Sequence, residues 1–230
     1  MNNLIKIFFV LLLLASKAFN QNIHKIEINL FSNDSYVHYL HNNQEGFFKQ
    51  DSIKSNIIFR NSMKYRSLSF ELDWSINKEN LVLSQISAMY SRKNINFKIG
   101  SFNQEKLYQN PTFSSGSMVF SNNAKKIPGI SINSNWINFY DYFEFKAELF
   151  HGKFPKQIGY KGGPYLHYKS LLLKKELKKI NLGFSIQHAV QHGGFDQYNE
   201  KIPSSFQNYI NVFFARAGDE SQPGQDQDYK

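Results

Sequence analysis

Ser67-Leu68-Ser69-Phe70-Glu71-Leu72-Asp73-Trp74 places Leu, Phe, Leu and Trp on one side of an extended chain and Ser, Ser, Glu and Asp on the other. A period of two is the repeat of a β-strand, whose successive side chains point to opposite faces. The pattern recurs on both sides of this stretch. Phe143, Phe145, Ala147 and Leu149 alternate with Glu144, Lys146 and Glu148, and Leu182, Phe184, Ile186 and His188 with Asn181, Gly183, Ser185 and Gln187. Ile95, Phe97 and Ile99 alternate with Asn96, Lys98 and Gly100, and Ile26, Ile28 and Leu30 with Glu27 and Asn29. Weaker alternation occupies 36–40, 56–60, 81–90, 130–140, 165–173 and 206–214. Turn formers lie between the runs, among them Asn33-Asp34, Asn42-Asn43, Gly162-Gly163-Pro164 and Gly193-Gly194. The spacing predicts roughly ten strands joined as hairpins.

Two architectures share such a pattern. A soluble sandwich buries its apolar face, whereas a transmembrane barrel turns it to lipid and lines a lumen with the polar one. Alternation alone does not separate them. Long strands, full charges among the polar alternates, and aromatics near strand ends (Trp74, Tyr90, Phe102, Trp136, Tyr140) favour the membrane. The expected fold is therefore all-β, an antiparallel up-and-down transmembrane β-barrel. Leu171 to Lys179 holds the one competing helical pattern. It reads as a strand end, a charged hairpin tip and the start of the next strand.

The first residues supply the route to a membrane. Lys6 is followed by an apolar run from Ile7 to Ala15, with Ser16 and Ala18 at small-residue positions. This is a secretory signal peptide, cleaved after Ala18. The run is too short to span a bilayer. Loss of Lys6 and Lys17 takes the formal charge from +9 to +7. No cysteine is present, which excludes disulfides, thiolate zinc sites, cysteine nucleophiles and a lipoprotein anchor. An exported chain of this charge suits a polyanion of the cell surface, and nucleic acid is not an expected partner. Residues 19–217 are read as the barrel portion and 218–230, with one aromatic and no aliphatic residue, as a polar loop or tail.

Catalytic signatures are missing. Ser114-Ser115-Gly116-Ser117 does not make a nucleophile elbow, and no phosphate loop occurs. His188 and His192 have the spacing of a helical zinc pair, but on a strand they stand about 13 Å apart. Glu71 with Asp73, or Glu144 with Glu148, share a strand face and could flank a glycosidic bond. Any charged lumen supplies such pairs. No enzyme activity, metal or cofactor is expected.

Four short stretches carry a resemblance. Ser114-Ser115-Gly116-Ser117-Met118 followed by Ser121-Asn122-Asn123-Ala124-Lys125-Lys126-Ile127-Pro128 resembles the "SSGS…S-x-N-A-x-x-I-P" stretch of the capsule assembly protein Wzi family in its Bacteroidetes form. Tyr165-Leu166-His167-Tyr168-Lys169 resembles its "Y-L-H-x-K" strand. Gly183 through Gly194 resembles its "G-x-x-H-x-x-x-x-G-G" segment, with His192 where a Trp is common. His41-Asn42-Asn43-Gln44-Glu45-Gly46 resembles its "H-x-N-Q-x-G" opening. The matches fall in the family's order over residues 38–195.

The resemblance implies a Gram-negative outer-membrane barrel of the cell envelope that holds capsular polysaccharide at the surface. It implies partners of two kinds: an acidic capsular or exopolysaccharide, and outer-membrane lipid with lipopolysaccharide. Family members are longer than this chain, so it is expected to be an N-terminal fragment. The family-motif residues are Ser115, Gly116, Asn123, Ile127, Pro128, His167, Lys169, His188, Gly193 and Gly194. They are expected to be architectural: the segment carrying Pro128 leaves the sheet, and Gly193 and Gly194 end a strand in a turn with positive φ. A porin-like channel and a secreted β-sandwich glycosidase are the alternative functions.

Overall fold

The computed structural model describes residues 21–29, 56–77, 81–102, 126–140, 142–154, 161–178, 180–195, 198 and 200–216. The expected signal peptide, the strand candidate at 36–40, the 41–46 motif, Ser115, Gly116, Asn123 and the expected tail at 218–230 lie outside the described residues. The strands are β1 (Gln21–Asn29), β2 (Asn56–Tyr65), β3 (Leu68–Asn77), β4 (Leu81–Arg92), β5 (Ile95–Ser101), β6 (Pro128–Ser134), β7 (Ile137–Phe139), β8 (Phe143–Lys153), β9 (Tyr165–Glu176) and β10 (Asn181–His192). One helix follows, α1 (Phe206–Phe213). The fold is all-β, a ten-stranded antiparallel sheet in which sequence neighbours pair, with β7 beside β8 and off the main path. β1 and β10 end the pairing order.

The backbone forms two compact units, Met1–Ser91 with Gly100–Lys126, and Arg92–Ile99 with Ile127–Lys230. In the first, register places Ile57, Phe59, Met63, Phe70, Leu72, Trp74 and Ile76 on one face, and Ile58, Arg60, Ser62, Glu71, Asp73 and Ser75 on the other. Phe59 and Trp74, cross-strand partners, stack at 4.0 Å. β4 joins this face through a bulge. Asp73 pairs with Gln85 and Trp74 with Leu83, so Ser84 is the extra residue. A bulge changes the parity of the strand. Leu81 and Leu83 before it, and Ile86 and Tyr90 after it, therefore share one face, and all four are exposed. Ser84, Gln85 and Ser87 are buried. That parity change is why alternation over 81–90 is weak in sequence.

In the second unit, Ile130 and Ile132 pair with His151 and Leu149, while Ser131 and Asn133 pair with Phe150 and Glu148. Leu171 pairs with Ala147 and Ile186, and Leu173 with Phe145 and Phe184. Ile130, Ile132, Leu171, Leu182, Phe184 and Ile186 are exposed, and Ser131, Asn133 and Ser170 are buried. Phe150 has no exposed surface, its ring lying over the paired glycines Gly129 and Gly152. A Cβ on Gly129 would come within 2.6 Å of that ring. The turn at 177–180 joins β9 and β10, so Leu171 to Glu176 is strand as the sequence suggests.

Three expectations are corrected. Residues 206–213 form a helix rather than a strand, because Phe206, Tyr209, Ile210 and Phe213 follow i, i+3, i+4, i+7 and Ser205 caps Asn208 N at 3.2 Å. Pro128 opens β6 instead of lying outside the sheet, which costs no ladder bond at a strand's first residue. Phe102 is buried and does not belong to an exposed aromatic girdle.

Candidate functional site

The alternation that makes a strand also sorts charge onto one face. In the first unit that face gathers a continuous network. Lys25 Nζ lies 2.6 Å from Glu27 Oε1, and Arg60 Nε lies 3.4 Å from the same oxygen. Arg60 reaches across to its cross-strand partner Asp73 at 3.4 Å. Lys126 Nζ stands 3.6 Å from Asp73 Oδ2 and donates to Gln85 Oε1 at 2.7 Å. Gln85 Nε2 donates to Glu71, and Ser87 Oγ donates to the same Glu71 oxygen at 3.1 Å. Three cations and three carboxylates alternate along this chain of contacts. The Lys126 backbone is tied in as well, its carbonyl accepting from Ser101 Oγ at 2.9 Å. Burial of charge is tolerated where each charge is paired and hydrogen-bonded.

The polar face of the second unit is built of amides and hydroxyls. Asn96 Nδ2 donates to Asn133 Oδ1 and Asn135 Oδ1, each at 3.0 Å. Asn133 Nδ2 donates to Ser131 Oγ at 3.4 Å, and Ser131 Oγ donates to Glu148 Oε1 at 3.0 Å. Such groups can exchange their bonds for water or for sugar hydroxyls.

A third cluster sits on the opposite, apolar face. His151 pairs with His167, Lys169 with His188, and Tyr165 with His192. The rings of His151 and His192 are 5.3 Å apart, and those of His151 and His167 6.3 Å. α1 lies over them: Tyr209 is 5.5 to 5.9 Å from His151, His167 and His192, and Phe213 is 5.5 Å from His167. Lys169 Nζ donates to the Phe213 carbonyl at 2.6 Å, a cation on the carbonyl end of the helix. Both ring nitrogens of His167 and of His192 are buried with no hydrogen-bond partner. Among the described residues, no three His, Asp or Glu are placed to hold a metal ion together.

This third cluster unites the motif residues His167, Lys169 and His188. Gly193 and Gly194 follow directly, with φ of +60° and +74°. Gly193 N donates to Pro203 O, and Ile202 N to Gly194 O, each at 3.1 Å, which leads the chain back toward α1. Ile127 and Pro128 lead into β6, Pro128 two residues before Ile130, the register partner of His151. Sequence reading missed Lys126, Arg60 and Gln85 as a network, since nothing local announces which polar alternates meet. It also missed His151 and Tyr209. Comparison with family models, curated proteins and solved structures finds no match to the chain.

Proposed function

We propose that this chain forms an outer-membrane β-barrel that holds an acidic capsular or related exopolysaccharide at the cell surface, without chemical change to the polymer. The observation that carries the reading is the inverted burial of the sheet. Exposed positions are filled by Ile26, Ile28, Leu83, Ile86, Phe97, Ile99, Phe184 and Ile186, while Asp73, Gln85, Asn96, Lys126, Ser131 and Asn133 are buried. A water-soluble sandwich would bury these apolar side chains instead, since each Å² of apolar surface left in water costs about 25 cal/mol. Lipid removes that cost, and a hydrated lumen accepts the charges.

Connection lengths support the same reading. In the first unit β1 and β2 are joined through 30–55 and, at the same end, β3 and β4 through 78–80, whereas β2 and β3 are joined by Arg66 and Ser67 alone. In the second unit 154–164 joins β8 and β9 at one end, against 140–142 and 177–180 at the other. Short turns on one side and long connections on the other are the habit of outer-membrane barrels. The signal peptide gives export, and the four stretches that resemble the Wzi family give the polysaccharide. Its acidic groups would pair with the chain's excess of Lys and Arg, and aromatic rings would stack on sugar faces.

Deletion of the gene is the test of function. Cells are expected to make normal amounts of polymer and shed it into the medium. Normal retention together with altered solute uptake in liposomes would replace the reading with a porin. Heat-modifiable migration and fractionation with the outer membrane test the barrel itself, and recovery as a soluble periplasmic protein would overturn it.

A further inference from the structure

The strand face that carries Leu182, Phe184 and Ile186 does not stay apolar to its end. In the same register it continues into His188 and His192, flanked by Lys169, His167 and His151. On a lipid-facing surface these imidazoles would meet hydrocarbon. α1 covers His151, His167 and His192 instead, and His167 has no exposed surface beneath it. The side of α1 turned from the histidines carries amides, with Gln207 Nε2 donating to Asn211 Oδ1 at 3.3 Å, and the exposed rings lie at the two ends of the helix. The helix has no charged residue from Phe206 to Phe213, and Phe206 and the capping Phe214 are 78% and 59% exposed. A surface helix of a soluble protein sets charges on its outer side.

We infer that α1 is an interfacial clamp, seated in the headgroup boundary of the bilayer, that seals the histidine patch from acyl chains. The inference rests on the membrane-spanning reading above. Position supports it: α1 runs over β10 from His188, whose partner Lys169 holds the Phe213 carbonyl, to His192 at the strand end, and so borders the last apolar pair, Ile186 and Leu171. Chemistry supports it as well. Arg216 lies 5.6 Å from the Phe214 ring, and Tyr198 is exposed on the segment leading to the helix. Aromatic rings beside basic groups are the composition of a membrane interface, where the ring enters the boundary and the cation meets anionic headgroups. The helix is also continuous with the exposed apolar face of β9 and β10 rather than isolated from it.

Depth-dependent fluorescence quenching tests this with the full chain in phosphatidylcholine–phosphatidylglycerol vesicles whose acyl chains are brominated near the headgroup. One variant carries Phe214→Trp with both native tryptophans replaced by Phe, a second carries Phe206→Trp in that background, and a third keeps Trp74 alone. The expected result is blue-shifted, quenched emission from all three. If Trp74 is quenched while both helix probes emit as in water, the clamp is wrong and the spanning sheet stands. If none is quenched, the spanning reading fails and takes the clamp with it. If only the helix probes are quenched, the spanning reading fails, and the clamp fails with it because no acyl chains reach the sheet face it would seal. A fourth variant, Phe206→Ser with Phe214→Ser, is expected to leave folding intact and raise protease access to α1 in vesicles. Unchanged protection would also overturn the clamp.

Discussion

Lys126 Nζ stands 3.6 Å from Asp73 Oδ2, and the Lys126 side chain is 1% exposed. Two charges so buried are stable only as part of a larger set, here Arg60 on one side and Gln85 on the other. The pair joins β3 to the segment that enters β6, across a long stretch of sequence. Its contribution is therefore tertiary and cannot be replaced by either strand alone.

Replacing Lys126 by Ala should cost about 1–3 kcal/mol, because Asp73 and Gln85 lose a charged donor within the buried face. Arg60 remains beside Asp73, which limits the loss. Urea unfolding in vesicles, followed by tryptophan fluorescence, would show a lower midpoint with an unchanged slope. A midpoint equal to that of the parent would mean that the network adds nothing.

Ile186→Arg separates the membrane from the soluble reading. Ile186 is 57% exposed, between Phe184 and His188 on its face. At a lipid-facing site the substitution should cost about 2–4 kcal/mol near the bilayer middle. At a water-facing site it should change stability by no more than about 0.5 kcal/mol. Insertion yield into vesicles reads the difference, and an undiminished yield would argue against lipid at this face.

Gly129→Ala should destabilise the second unit by about 1–3 kcal/mol through overpacking against the Phe150 ring. Combining it with Phe150→Leu should recover only the ring's share of the cost, because the His151 carbonyl and Gly152 Cα that the new methyl also meets are backbone. Additive effects would show that the ring and the glycine do not meet.

His167→Phe keeps an aromatic ring at this site and removes two buried nitrogens that have no partner. Such a replacement is expected to be neutral or to stabilise by about 1 kcal/mol, since no hydrogen bond is lost and a desolvation penalty is relieved. His167→Ala should lower folded yield, through the cavity left beneath Tyr209 and Phe213. Polymer retention per folded molecule should stay unchanged in both. Normal yield with lost retention would make His167 a binding residue instead.

The strands were legible because period two is a local property, carried by Leu68 to Trp74 and by Leu182 to His188 without reference to the rest of the chain. The β4 strand was harder to read, since the bulge at Ser84 breaks parity and only its pairing with Asp73 and Trp74 reveals that one face is kept. The helix at Phe206 to Phe213 was misread as a strand. Its aromatic and β-branched residues favour β structure, and a helix of eight residues has little stability of its own. Tyr209 and Phe213 packed on the histidines supply what the local sequence lacks.

Alternation is also symmetric: it states that two faces differ, and is silent on which one is buried. Leu68, Phe70 and Leu72 read the same in a soluble core and against lipid. That choice belongs to the folded sheet, because burial depends on what each face meets once distant strands have paired. The folded chain buries Asp73, Gln85 and Lys126 and leaves Ile86, Phe184 and Ile186 outside. The order of residues set the two-faced strands through local sterics and side-chain parity, while the assignment of inside and outside came from contacts far apart in sequence.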